Sequence, residues 1–380
     1  MKTTIRFMWA FTLGLFLMGL AVAGDLEGSR TKTFKVQKGG SLELSTSYGD
    51  VRIKTADKDE VVVNITGLDE DELDHVKMDQ SGNTVTVTFR PRGGNWGGHA
   101  LFEVTVPKEF NLQMKTSGGD LTVSDEITGK IEGSTAGGDI RLNNVYGGEV
   151  DMSTSGGDVT VGNLKGDGRL KTSGGDIKVG TVSATLHVST SGGDIRVDNV
   201  AKSLKASTAG GDIQIGDVGG EAEVSTSGGD VRVGKVSGRA SLSTAGGDIE
   251  LMGASGRVSA KTAGGDLRLK GVTGAIDGKT AGGDIDAELT PTGQGDSKLA
   301  TAGGEVRLAI PENAKATIEA TIRVEGWGRK KDRYVVRSEF KETTYDVEED
   351  EIHAVYKLNG GGDLIRLSTV NSDIILKKLR

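Results

Sequence analysis

The chain has 380 residues with 60 Gly, only 4 Pro and no Cys, so disulfides do not stabilise it, and a composition with 4% aromatics would by itself lean toward disorder. A formal charge of −8 argues against a nucleic-acid partner, whose phosphates need a basic face. Length alone suggests two or more domains, whereas an internal repeat argues for one elongated body with caps.

The chain opens on Lys2 and Arg6, an apolar run from Phe7 to Leu20, and the small residues Ala21-Val22-Ala23. This is the pattern of a secretory signal peptide over 1–23, cleaved before Gly24; it is too short and wrongly flanked for a stable anchor. Its removal takes away two positive charges and leaves the mature chain at −10. No later apolar run approaches spanning length, so no membrane span is expected after cleavage. The expected destination is outside the inner membrane: periplasm, cell surface or secreted.

Residues 24–107 read as irregular leading turns and a cap. Phe34, Val36, Leu42 and Leu44 alternate with polar residues, and Ser45 to Ile53 (STSYGDVRI) is a degenerate first copy of the repeat. Val61 to Ile65, Thr84 to Phe89 and Phe102 to Val106 are further strands. The acidic piece Asp69 to Asp79 is a solvated loop or short helix rather than a calcium loop, which would need Gly at its sixth position. Gly93 to Gly98 forms a glycine loop with Trp96 at its tip.

Over 108–305 the phrase Thr-Ser/Ala-Gly-Gly-Asp returns, with aspartates at 120, 139, 158, 176, 194, 212, 230, 248, 266 and 284 and Glu305 at an eleventh copy. Two gaps of 19 precede seven of 18 and a last one of 21. With Asp as zero, positions +1, +3 and usually +6 are apolar, as are −8 and −6, while −4 is Thr. Period-2 alternation marks strands with one buried face and excludes helical repeats. Gly at −2, −1 and near +8 is read as supplying corners with backbone angles that only Gly takes cheaply. No Pro lies between 108 and 290, where each strand needs its N–H for a ladder. The prediction is an all-β fold: a single-stranded β-solenoid, or β-helix, of about 18 residues per turn with irregular capping turns at both ends. At about 4.8 Å per turn the array would be a rod of roughly 48 Å.

Residues 306–380 read as closing turns and a cap, with a second aromatic loop, Gly326-Trp327-Gly328-Arg329-Lys330-Lys331. Gly362 to Leu367 and Ser368 to Leu376 are two more degenerate repeat halves.

Together, the signal peptide, the early STSYGDVRI strand, the phrase Phe-Glu-Val-Thr-Val-Pro at 102–107 and the tandem units resemble the bacterial putative-adhesin family of unknown function. That resemblance implies a β-solenoid, commonly described as right-handed, in an envelope or secreted protein. It implies no functional residues.

The chemistry offered by the residues is sparse. The Asp column invites comparison with calcium-binding toxin repeats, but Asp follows Gly-Gly directly and only once per 18 residues, so each carboxylate is read as accepting N–H groups of its own corner. Stacked carboxylates would repel by about 0.9 kcal/mol per pair in water. Arg141, Lys178, Arg196, Arg232 and Arg268 at +2 share their face and offset this. The Thr column is in phase with the core, so it is read as buried and bonded along the stack, not as an ice-binding row. The four His (75, 99, 187, 353) are scattered, and no acid–base pair or phosphate loop stands out. No catalytic residue, metal ligand or cofactor is therefore assigned. Trp96 and Trp327, with Arg329, Lys330 and Lys331, are the candidate binding residues, since exposed aromatics with Arg anchor interfaces. The expectation is a non-catalytic binding or scaffold protein of the cell envelope, with an envelope polymer, glycan or protein as partner. The alternatives are a polysaccharide-acting β-helix enzyme and a cation-binding structural rod.

Overall fold

The computed structural model describes residues 28–91, 99–326 and 333–379; the expected signal peptide lies outside them. The described chain is all-β and solenoid-like, with a single short helix, Glu70–Leu73, in the acidic piece. No helix among the described residues is long and apolar enough to cross a membrane.

Each repeat gives one strand to each of two long parallel sheets. One, here the aspartate sheet, takes the strand that starts after Asp: Ile195–Val200 lies between Ile177–Val182 and Ile213–Val218. The other, the threonine sheet, takes the strand that ends before Thr: Leu204–Ser207 lies between Leu186–Ser189 and Ala222–Ser225. Equivalent positions stand opposite one another, Ile195 to Ile213 and Leu186 to Leu204, so alternation along one strand becomes uniform files across the sheet. The apolar files +1, +3, +6, −8 and −6 share one buried core. A third, shorter line of pairing joins Ile127–Thr128 to Val145–Tyr146 and continues through Leu164 to Val182.

At both ends, order in space departs from order in the chain. Gly40–Thr46 and Asp50–Ala56 sit directly on the array, against Phe110–Lys115 and Leu121–Val123. The intervening chain folds outside them: Leu101–Pro107 pairs parallel to Asp50–Ala56, then Glu60–Thr66 and Ser29–Lys35 follow antiparallel. Tyr48, Phe89 and Phe102 fill this end, with ring centroids 5.2 and 5.7 Å apart, where the array uses Val, Ile and Leu. At the other end Asp363–Val370 is inserted between Ser297–Ala300 and Ala316–Arg323, and Ile374–Leu379 between Val306–Pro311 and Val336–Ser338. The degenerate copies read in the sequence thus extend the array by a layer at each end, each covered by one more parallel strand per sheet, and antiparallel strands lie outside those.

The glycines at −2 and −1 differ from expectation. None of those between Gly118 and Gly304 has a positive φ. The reason for Gly at −1 is proximity: a Cβ on Gly193 would lie 2.1 Å from the carbonyl oxygen of Gly175 in the preceding copy. Positive φ occurs instead at corners such as Gly147-Gly148, where the second gap carries its extra residue, and at Gly271 within the strand Leu267–Val272.

Candidate functional site

The corners carry three files of polar groups. In the first, the backbone N–H of each Asp donates to Oδ1 of the Asp one copy earlier: Asp194 to Asp176, Asp212 to Asp194 and Asp230 to Asp212, each at 2.8 Å. Asp50 begins the file by accepting from Asp120, and Asp284 accepts from Glu305. This corrects the expectation of a carboxylate bonded within its own corner. The Gly oxygen beside each Asp accepts a Thr hydroxyl from the next copy.

That hydroxyl belongs to the second file. Thr190 Oγ1 donates to the Gly175 oxygen at 2.9 Å and accepts the Gly193 N–H at 3.4 Å; Thr135 through Thr301 repeat the first bond, and Thr369 ends the series on Gly304. The Thr side chains are buried, so the inward, stack-bonded reading of this column is what the structure has. The third file escaped the sequence reading. Asn144 Oδ1 accepts the Asn163 N–H, Asn163 that of Thr181, and Asn199 that of Asp217. Its signal was the recurrent Asn or Asp at +5.

With Oδ1 committed, Oδ2 faces solvent. Arg141 spans Asp120 and Asp139, and Arg268 spans Asp248 and Asp266, while Arg232 bonds Asp230 alone. Arg196 turns instead to Gln214. The Asp266 N–H, helped by the Arg268 guanidinium, holds the Asp248 carboxyl below the usual carboxylate range against a smaller opposing effect of burial. Between these clamps, Asp158, Asp176, Asp194 and Asp212 line an open groove of about 450 Å³ together with Lys178 and Arg196. Among the described residues no group of three or more His, Cys, Asp or Glu is arranged to hold a metal ion.

Across the body, the outer face of the threonine sheet carries two further open grooves of about 480 and 710 Å³ that meet at His187 and Lys205. Serines at −5, such as Ser189 and Ser207, line the first.

The sequence model of the Toastrack DUF4097 family matches residues 40–220 and 203–323, well over half of the chain. The chain belongs to the Toastrack DUF4097 family. Solved structures similar to this Toastrack chain include a putative adhesin from Parabacteroides distasonis, at 14% identity and TM-score 0.32, covering 74% of this chain and 97% of that one. Another, from Parabacteroides merdae, stands at 15% identity and TM-score 0.29, covering 74% of this chain and 96% of that one. A third, from Bacteroides fragilis, stands at 11% identity and TM-score 0.24, covering 93% of this chain and 98% of that one. No curated protein matches the chain.

The candidate binding residues of this Toastrack member, Trp96, Trp327, Arg329, Lys330 and Lys331, all lie outside the described residues. The four His remain scattered; His353 Nδ1 lies 3.2 Å from Thr321 Oγ1, and His187 faces the threonine-sheet grooves.

Proposed function

We propose that the chain is an exported, non-catalytic binding or scaffold protein of the bacterial cell envelope, adhesin-like in that it presents files of side chains along a rigid stack. In this reading it coils right-handed with eighteen residues per turn, the hand that parallel crossovers overwhelmingly take. The observation that carries the proposal is how the repeated polar groups are employed. Each Asp and Thr of the corner binds the backbone of the adjacent copy, so the acids that dominate the sequence serve cohesion of the stack. What they leave outward is a set of surface columns repeated at strand spacing, suited to many weak contacts that add along a long partner.

The test is capture of the mature protein on its own envelope fraction, with turnover of envelope polymers followed in parallel. Retention without turnover is expected. Hydrolysis or elimination of a polymer by the purified chain would replace this reading with that of a β-helix enzyme.

A further inference from the structure

Arg239 and Arg257 stand next to each other on the outer face of the threonine sheet. They precede the strands Ala240–Ser243 and Val258–Lys261, and the Ala240 N–H donates to the Arg257 carbonyl at 3.0 Å, which fixes them in one file. Both are exposed, and so is Lys261 at the end of the second strand. Ser241, Ser243 and Ser259 lie between them. None of the three cations has an ion-pair partner among the described residues. The nearest acids along the sheet are Glu221, one copy earlier in the file of Arg239, Glu223, which is engaged by Lys205 at 2.8 Å, and Asp277, which stands opposite Ser259 and is engaged by Lys279 at 3.0 Å.

The chain has 54 acidic residues to 46 basic ones, and on the aspartate sheet Arg141 and Arg268 are each fixed between two carboxylates. Arg239 and Arg257 instead keep all their donors free, one strand spacing apart, where like charges repel. They border a groove of about 710 Å³ that also reaches Ser241, Ser259, Lys205 and His187, with Glu221 and the Lys205-bound Glu223 on the side of the earlier copies. Juxtaposed guanidiniums over hydroxyls, open to solvent, suit an anionic ligand that bridges them with planar oxygen pairs.

We infer that Arg239, Arg257 and Lys261, with the hydroxyls of Ser241 and Ser259, form a track for a linear acidic polysaccharide laid across the strands; this rests on the adhesin-like reading. Successive sugars advance by a step comparable to the strand spacing, so acid groups on the chain can meet successive layers while its hydroxyls meet serines. A nucleic acid fits less well, because no Phe, Tyr or Trp lines this groove to stack bases, His187 being its single ring, and the body as a whole is acidic.

The experiment measures binding of the purified mature chain to polygalacturonate, dextran sulfate, neutral dextran and single-stranded DNA. It compares the parent with Arg239→Glu/Arg257→Glu, with the milder Arg239→Gln/Arg257→Gln, and with Lys77→Glu at the far end as a charge control. Salt-sensitive binding to at least one acidic glycan is expected, weakened about tenfold or more by the double Glu variant and less by the Gln variant, with Lys77→Glu unchanged. Failure to bind either acidic glycan, equal binding of neutral dextran, tighter binding of DNA, or an equal loss in Lys77→Glu overturns the track. So does parental affinity in both double variants. Envelope capture without acidic-glycan binding sinks the track and leaves the adhesin-like reading; the reverse result keeps the track and sinks that reading.

Discussion

The backbone N–H of Asp194 donates to Oδ1 of Asp176 at 2.8 Å, so a residue repeated for its carboxylate does its work one copy away from where it sits. Asp194 in turn accepts from Asp212. Asp194→Ala leaves the Asp212 N–H without its acceptor at a partly wet site, and a loss of about 1 kcal/mol is expected in urea unfolding. Asp194→Asn keeps an oxygen in place and removes a charge from a like-charged file. It should fall within about 0.5 kcal/mol of the parent. An Asn variant as weak as the Ala variant would mean that charge, not the acceptor, is what the file needs.

The strand phase was legible because apolar residues at +1, +3, −8 and −6 alternate with polar ones in nearly every copy, and the burial of Thr190 followed from that phase. The partner of the Asp carboxylate was not legible. A single repeat contains both the corner N–H groups and the carboxylate, and only the stacking of Gly193 onto Gly175 decides which of them can meet. The ends were hidden for another reason. Asp50 serves Asp120, 70 residues on, and no periodicity reports a contact that skips the intervening cap. The Arg239 and Arg257 pair was visible as letters at −9, but its lack of carboxylate partners needed the neighbouring copies in place.

Acid should weaken the stack through Asp248. Its carboxyl is held below the usual range first by the Asp266 N–H and then by Arg268. A depressed folded-state pKa gives stability that is present above the unfolded value of about 3.9 and is lost as pH falls through the folded value. Urea midpoints of the parent and Asp248→Asn should therefore converge as pH drops below about 4. If the gap between them stays constant from neutral pH to below that range, the carboxylate contributes nothing that its amide does not.

Adjacent glycines of one corner should respond oppositely to alanine. A Cβ on Gly193 meets the Gly175 carbonyl oxygen at 2.1 Å, a backbone atom that cannot withdraw without moving two layers of the stack. A Cβ on Gly192 meets the Gly174 oxygen at 3.3 Å. Gly193→Ala should cost roughly 3 kcal/mol or more, while Gly192→Ala stays within about 1 kcal/mol of the parent. Thermal melts of the two variants side by side decide it, and equal melting points would show that the layers adjust more readily than their separation implies.

The Thr file separates shape from hydrogen bonding. Val at position 190 keeps the branched side chain but removes the donor to the Gly175 oxygen and the acceptor for the Gly193 N–H. A cost of roughly 1–3 kcal/mol is expected for Thr190→Val. Thr190→Ser keeps the hydroxyl and loses only a methyl group, so it should cost about 1 kcal/mol. Denaturant midpoints that place Val above Ser would mean that the buried corner is held by apolar contact alone.

The last strands of the chain sit inside the stack, which makes the C-terminal segment far less dispensable than a tail usually is. Asp363–Val370 is paired on both sides, as is Ile374–Leu379, and Ile365, Leu367, Ile374 and Leu376 are buried. Those four side chains represent roughly 6–12 kcal/mol of burial by transfer scales, an upper figure that still exceeds what one layer can lose and stay attached. Ending the chain after Asn359 would remove both strands, open Ser297–Ala300 and Val306–Pro311 as bare edges, and detach the covering strands Ala316–Arg323 and Glu351–Leu358 from the array. The truncated protein should form oligomers on size-exclusion chromatography and expose the outer cap to limited proteolysis, while the central repeats stay protected. A monomeric truncation with an intact cap would show that the covering strands can dock on the eleventh copy directly, and that the inserted strands are replaceable.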